Sequence, residues 1–253
     1  MAKPKVRADE LLAERGLAES RERAKRLIMA GMVYAEGAGG RVLVDKPGRM
    51  FGPDAALVVA GGERFVSRGG HKLFTAIEKF SLDPRGKVCL DAGAATGGFT
   101  DCLLQHGAVR VYAVDVGRAQ LHEKLRADPR VVSIEGVNLR LAGPELVPEA
   151  VALAVIDVSF ISLTLVLPVI ARMLVPAGEV VALIKPQFEL GPGRADKGVV
   201  RDEAARREAV DKIIGFAAGA LGFALLGVEP AALKGPKGNQ EFVAYFRAPG
   251  VRD

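Results

Sequence analysis

The segment Leu90-Asp91-Ala92-Gly93-Ala94-Ala95-Thr96-Gly97-Gly98-Phe99-Thr100 constrains the chain more than any other. An apolar run ends in an acid, small residues follow, and a helix-like stretch opens. Small residues let the backbone approach a ligand closely, and the free amides of a helix start can bond it. Asp115, at the end of the next apolar run, stands about 20 residues on, where an acid normally meets a ribose diol. A dinucleotide loop needs Gly-x-Gly-x-x-Gly. Here Gly93 and Gly98 keep its outer spacing and Ala95 replaces the middle glycine, which makes room for a pyrophosphate. A cofactor without one, such as S-adenosylmethionine, fits better than a nicotinamide, and Asp91 suits the amino-acid half of such a molecule. A purely structural turn is the remaining reading.

Around this loop the pattern alternates strand and helix. Val88–Asp91, Val111–Asp115, Val131–Ile134, Ala152–Asp157 and Glu179–Ile184 read as buried strands. Helices fit between them, for instance at Phe99–His106 and Leu163–Leu174, with a last helix at Glu203–Ala220. Phe223–Val228 and Glu241–Phe246 close the series. Alternation predicts a doubly wound parallel sheet, an α/β Rossmann-like fold of seven strands. The closing pair has no long crossover, so the last strand runs antiparallel.

In such sheets ligands sit at the carboxyl ends of the parallel strands. Asp157 and Lys185 end two of them, Glu241 starts the antiparallel one, and the stretch Ser67 to Lys72 can fold over the same edge. Lys72, Asp157, Lys185 and Glu241 are therefore candidates to converge beside the loop. A ribose hydroxyl is a poor acid, and a lysine that can shed its own proton can take the hydroxyl's. Lys185, on the more central strand, is the expected base, and Lys72 steers it. The alternative is that these are ordinary ion pairs. Other methylation chemistries fit less well. Amino-group enzymes carry Asn/Asp-Pro-Pro-aromatic where this chain has Asp157-Val158-Ser159-Phe160, and a carbon-5 enzyme needs a placed thiolate. Cys89 lies inside a strand and Cys102 inside a helix. They read as buried thiols of a reducing, cytoplasmic compartment.

Ahead of the α/β pattern stands a smaller region, expected to be α+β. Two short helices fill 6–31, broken near Gly16, with Ser20 as N-cap of the second. Strand-like pieces follow at Met32–Ala35, Val42–Val44 and Ala56–Val59. The chain carries a formal charge of +5, and residues 1–80 hold 15 Lys and Arg against 10 Asp and Glu, while 81–253 hold 20 of each. The basic surplus lies wholly in front, as expected for contact with phosphates. Arg21, Arg23, Lys25 and Arg26 on the second helix are the main candidates, with Arg7 before it and Arg68 after. Glycines 61, 62, 69 and 70 mark the junction. The division expected is a small basic RNA-binding domain over 1–62, a linker and first helix over 63–80, and the larger domain over 81–253.

Val151–Val175 is broken by Asp157, Pro168 and Arg172, and Ile213–Val228 is too short to span a bilayer. The expectation is no stable membrane insertion, no secretory leader and, with 3 histidines and 2 cysteines scattered, no metal.

Arg7-Ala8-Asp9-Glu10-Leu11-Leu12, Ser20-Arg21 and Leu27-Ile28-Met29-Ala30-Gly31 resemble the small ribosomal-protein-type RNA-binding fold of pseudouridine synthases. Ser67-Arg68-Gly69-Gly70-His71-Lys72-Leu73, the glycine loop, Asp157-Val158-Ser159-Phe160, Ile184-Lys185-Pro186-Gln187-Phe188-Glu189 and Gly238-Asn239-Gln240-Glu241-Phe242 together resemble the TlyA family. Its members are called haemolysins or rRNA 2′-O-methyltransferases. The resemblance covers nearly the whole chain. It implies an FtsJ-type catalytic set on Lys72, Asp157, Lys185 and Glu241. It implies S-adenosylmethionine held by Asp91, Gly93, Ala94, Thr96, Gly97, Gly98, Phe99, Asp115 and Asp157, with Asn138 toward the adenine. It also implies cytidine in ribosomal RNA as substrate, with ribosomal RNA or ribosomal subunits as partners. Two other readings remain: a membrane-lytic protein, and an RNA-binding protein whose methyltransferase domain is inactive.

Overall fold

The computed structural model describes residues 5–37, 40–59, 64–191, 193–235 and 237–250. The chain divides into two compact units, 1–68 and 69–253. The predicted junction glycines 61 and 62 lie outside the described residues.

In the first unit, β1 (Val6–Arg7) leads into α1 (Ala8–Glu14) and α2 (Arg21–Met29). Gly16 follows α1 at φ +66°, a conformation that favours glycine. Ser20 Oγ accepts from the Arg23 amide at 3.1 Å, the expected cap. Then come β2 (Val33–Gly37), β3 (Gly40–Leu43), β4 (Met50–Phe51) and β5 (Ala56–Val59). β2 lies between β3 and β5, all antiparallel, and β4 pairs with β1. Leu11, Leu12, Ala24, Ile28, Val33 and Leu57 form the core.

The second unit opens with α3 (Gly69–Phe80). It continues through β6 (Val88–Ala92), α4 (Gly98–Gln105), β7 (Arg110–Asp115), α5 (Glu123–Arg126), β8 (Val131–Glu135) and β9 (Val151–Ile156). It ends with α6 (Leu163–Ala171), β10 (Leu174–Ile184), α7 (Pro186–Glu189), α8 (Glu203–Leu221), β11 (Ala224–Pro230) and β12 (Phe242–Arg247). The seven strands lie in the order β11-β12-β10-β9-β6-β7-β8. β8, β7, β6, β9 and β10 run parallel, and β12 is antiparallel to both β10 and β11. The seven-stranded α/β sheet with an antiparallel last strand is as predicted. α3 packs on α4, and α6 on α8.

Two details depart from the sequence reading. α6 ends at Ala171 instead of Leu174, because the chain turns at Arg172 and Leu174 already pairs with Val151. The crossover from β7 to β8 holds only the single turn α5, and that from β8 to β9 only two 3₁₀ turns. Apolar periodicity there is too short to build a full helix. Among the described residues no helix is long and apolar enough to cross a membrane.

Candidate active site

The site lies at the carboxyl ends of β6, β9 and β10. The carboxyl-end halves of β9 and β10 are buried apolar runs, so a charged residue just past their ends is held at the rim of the core. The Asp157 amide bonds the Ala92 carbonyl at 2.9 Å, one step beyond the pairing of β6 with β9. β10 pairs with β12 up to Ile184 and Phe242, which brings Lys185 and Glu241 opposite one another at the next step.

Four charged groups meet there in two pairs. Lys72 Nζ, from α3, donates to Glu241 Oε2 at 2.5 Å, with both residues buried. Lys185 Nζ lies 2.6 Å from Asp157 Oδ1, off the hydrogen-bonding direction. Its aligned bond goes to Ser159 Oγ at 2.8 Å. Gln187 Nε2 reaches Glu241 Oε1 at 3.4 Å, joining the segment that carries Lys185 to the other pair. Gly235 lies against that carboxylate, and a Cβ there would push Glu241 Oε1 from its place. The structure thus brings Lys72, Asp157, Lys185 and Glu241 to one edge.

The glycine loop shares that edge. Gly93 has φ +92°, and a Cβ there would come within 2.6 Å of the Asp157 carbonyl oxygen. Gly97, at φ +95°, is the N-cap of α4, and a Cβ on it would strike Leu125 at 2.2 Å. Both positions therefore demand glycine. Ala95 at φ +46° takes a left-handed conformation that the same loop imposes. Asp115 holds this shape: Oδ2 accepts from the Ala95 amide at 2.8 Å and Oδ1 from the Gly117 amide at 2.7 Å. Thr96 is exposed on the loop, while Ala94, Gly98 and Phe99 are buried beneath it. Asn138 is exposed after β8, where its side chain accepts from the Arg140 amide at 3.1 Å.

Asp91 is fully buried. Its Oδ2 accepts from Thr100 Oγ1 at 2.6 Å, while Oδ1 has no hydrogen-bond partner. Burial pushes the carboxyl up, Thr100 draws it partly back, and the charges of Asp157 and Asp115 push it up again, to about 7. An unmatched buried acceptor is costly and calls for a donor from outside the chain. A bare carboxylate oxygen, a glycine loop that leaves no room for a Cβ and a free helix start fit the amino-acid part of S-adenosylmethionine.

Sequence reasoning did not single out several members of this site. Ser159 sits two residues after Asp157 and shares Lys185 with it. Glu189 is buried, accepting from Ser162 Oγ at 2.5 Å and the Leu163 amide at 2.8 Å, and so ties the loop after β9 to the segment after β10. Phe160 is 91% exposed at φ +63°, its ring centroid 5.0 Å from that of Phe188. Ser159, Phe160 and Glu189 each stand in a segment that carries the family resemblance, but their local sequence assigns them no role. Burial pushes the Cys89 thiol up to about 12, which leaves it no thiolate for covalent chemistry.

In the first unit, Arg7 donates to the fully buried Asp9 at 2.9 and 3.1 Å, and Arg21 donates to it at 3.0 Å. Both guanidinium groups keep an exposed side. Lys25 pairs with Glu22 at 2.5 Å. Arg23 and Arg26 are exposed, and Arg68 is half-buried.

The FtsJ-like methyltransferase family model matches residues 65–248, which include the glycine loop and all four charged residues. The chain belongs to the FtsJ-like methyltransferase family. It is 44% identical over 246 residues to the 16S/23S rRNA (cytidine-2′-O)-methyltransferase TlyA of Mycobacterium tuberculosis (strain CDC 1551 / Oshkosh), covering 96% of this chain and 90% of that one. It is 40% identical over 247 residues to Hemolysin A of Brachyspira hyodysenteriae, covering 95% and 99%. A solved structure from Streptococcus thermophilus, described as a hemolysin candidate, superposes with a TM-score of 0.74 at 44% identity, over 98% of this chain and 90% of that one. The protein is therefore an FtsJ-like methyltransferase, an enzyme whose methyl donor is S-adenosylmethionine.

Proposed function

We propose that this FtsJ-like methyltransferase acts on the ribose 2′-hydroxyl of cytidine in ribosomal RNA. The observation that carries the reading is the meeting of the Lys185–Asp157 and Lys72–Glu241 pairs beside the glycine loop. The likeness to an rRNA (cytidine-2′-O)-methyltransferase supports the substrate.

S-adenosylmethionine supplies, when bound, an electrophilic methyl group on a sulfonium; Asp91, Gly93, Ala94, Thr96, Gly97, Gly98, Phe99, Asp115 and Asn138 would hold it. Lys185, in its neutral form, accepts the proton of the 2′-hydroxyl as the oxygen becomes a nucleophile. Asp157 and Ser159 then stabilise the ammonium, at 2.6 and 2.8 Å. Lys72 is pinned by Glu241 and donates to the same oxygen, fixing its direction of attack. Phe160 presents an exposed ring on which a splayed-out base can stack. Residues 1–68 add affinity for the RNA backbone, through the exposed Arg23 and Arg26 and the outer sides of Arg7, Arg21, Lys25 and Arg68. Ribosomal RNA as substrate puts the work in the cytoplasm.

The test is incubation of the purified protein with ribosomal subunits and a labelled methyl donor, followed by nuclease and alkaline digestion. Label is expected on an alkali-resistant 2′-O-methylcytidine linkage. Label on a base, or none on any subunit or free rRNA, would reject the reading.

A further inference from the structure

We propose that loop 193–201 of the catalytic unit, together with residues 234–235 and 237–240, forms a second RNA surface, on which Lys197, Lys237 and Lys234 grip phosphates beside the nucleotide being methylated. The proposal rests on the ribose-methylation reading for the identity of the RNA, and on the loops themselves for the contact.

The first loop ends in a tight hairpin. The Asp196 amide donates to the Val199 carbonyl at 3.0 Å, and the Val199 amide donates back at 2.8 Å. Between them stand Lys197 at φ +49° and Gly198 at φ +81°. Two successive left-handed residues make a primed turn, whose first position favours Asn, Asp or Gly. Lysine is a poor choice for that backbone. A residue that stands against local preference, with its side chain exposed at a tip, points to function over folding.

The tip is held firmly. Asn239 is buried, its Oδ1 accepting from the Val200 amide at 2.9 Å and its Nδ2 donating to the Gly198 carbonyl at 2.8 Å. That one side chain bolts the hairpin onto the second loop. There the Gly238 amide closes a turn on the Gly235 carbonyl at 2.8 Å, with Lys234 and Lys237 exposed on either side. Lys237 Nζ lies over the hairpin, 3.4 Å from where a Cβ on Gly198 would stand. Gly235 presses on Glu241, so this cationic rim is one layer away from the Lys72–Glu241 pair.

The charges in the two loops do not cancel. Asp196 faces Arg201 at 3.6 Å, Arg194 pairs with Glu208, and Glu241 is taken by Lys72. Among the described residues Lys197, Lys234 and Lys237 have no carboxylate partner, although residues 81–253 as a whole are balanced at 20 against 20. Three ammonium groups on two loops joined by Asn239 suit a phosphodiester backbone, which offers anions in a row and needs no sequence readout.

Lys197→Asn decides the matter, because asparagine suits the turn better than lysine. The variant is expected to keep or raise the melting temperature and to leave S-adenosylmethionine affinity and kcat unchanged. KM for ribosomal subunits should rise several-fold at physiological salt. A Lys197→Asn, Lys234→Gln, Lys237→Gln triple variant should raise it roughly 30-fold or more. The slope of log KM against log salt should become shallower by about 2 to 3, near one per lysine. RNA binding is measured in parallel by filter retention of 16S and 23S rRNA, so a failure of ribose methylation in the wild type leaves the phosphate contact still scored. Unchanged RNA affinity and salt slope in the triple variant would overturn the proposal. So would loss of binding to anionic phospholipid vesicles with RNA affinity intact, which would assign the patch to a lipid surface.

Discussion

Asp9 in the first unit and Asp91 in the catalytic unit are both fully buried carboxylates, in very different company. Asp9 receives three guanidinium hydrogen bonds, two from Arg7 and one from Arg21, and a fourth from the Glu10 amide. Burial pushes its carboxyl up, but those arginine bonds outweigh burial and hold it below the ordinary carboxylate value. Asp91 receives Thr100 on one oxygen and nothing on the other, and its carboxyl rises to about 7. A buried acid whose acceptors are filled is a fastening. One left half-empty has room for a donor from outside the chain, the place proposed for the cofactor's amino group. Asp157 stands between these extremes, with the Lys185 ammonium 2.6 Å from an oxygen that has no aligned hydrogen bond.

The largest effect should come from breaking that intermediate case. Lys185→Met removes the proposed base while retaining bulk, and kcat should fall by about 10³, within the usual range for general-base removal. S-adenosylmethionine affinity, read by calorimetry, should stay within a factor of a few, because the glycine loop is untouched. Loss of affinity equal to the loss of rate would mean that Lys185 belongs to the cofactor's seat, and would separate Asp157 from the comparison altogether.

Asp91→Asn tests the half-empty acid. A charge-assisted hydrogen bond is worth roughly 2–3 kcal/mol, so cofactor affinity at pH 8 should fall about 30- to 150-fold. The sign with pH also follows. In the proposed role the cofactor's amino group bonds the ionised carboxylate, and the free protein holds that carboxyl protonated below about pH 7. Wild-type affinity should therefore weaken as pH drops through 7, and the asparagine variant should lose this dependence. Stability moves the other way. The folded carboxyl titrates near 7 and the unfolded one near 4, so the ligand-free protein loses stability as pH rises between them, on the order of 4 kcal/mol in all. Asp91→Asn should flatten that slope in denaturant titrations of the apo protein. An unchanged slope would show that another group carries the burial.

Much of this was legible before the fold was known. Val88–Asp91 and Ala152–Asp157 are apolar runs that end in acids, and a strand of that kind places its last residue at a ligand edge. Lys185 and Glu241 could be put on the same edge because alternation makes the strands parallel and the closing pair makes the last one antiparallel, and Lys72 because its segment can fold over that edge. What escaped was contact between residues far apart in sequence. Nothing near Ser159 says that Lys185 will reach it, and nothing near Glu189 says that it will cap Leu163. The two-residue strands β1 and β4 are too short to carry a period. Arg7 and Arg21 looked like free charge on a basic module because Asp9, between them in the chain, gave no sign that it would be buried under both.

Asp9→Asn gives the smallest effect and the cleanest contrast. Asparagine keeps one acceptor and offers the guanidinium groups an amide in place of an anion. Both arginines are about half exposed, so water screens much of what is lost. The first unit should weaken by about 2 kcal/mol, in line with an unmet buried polar group. Proteolysis or amide exchange confined to residues 5–59 should register it, while S-adenosylmethionine affinity stays that of the wild type. Because the folded carboxyl lies below its unfolded value, its contribution is present above about pH 4 and vanishes only as pH falls through the folded value. Between pH 5 and 8, then, the stability difference between wild type and Asp9→Asn should be flat, in the same window where Asp91 titrates. A slope in the first unit over that range would mean that Arg7 and Arg21 do not hold Asp9 as tightly as their hydrogen bonds indicate, and would return both arginines to the pool of cations available to RNA.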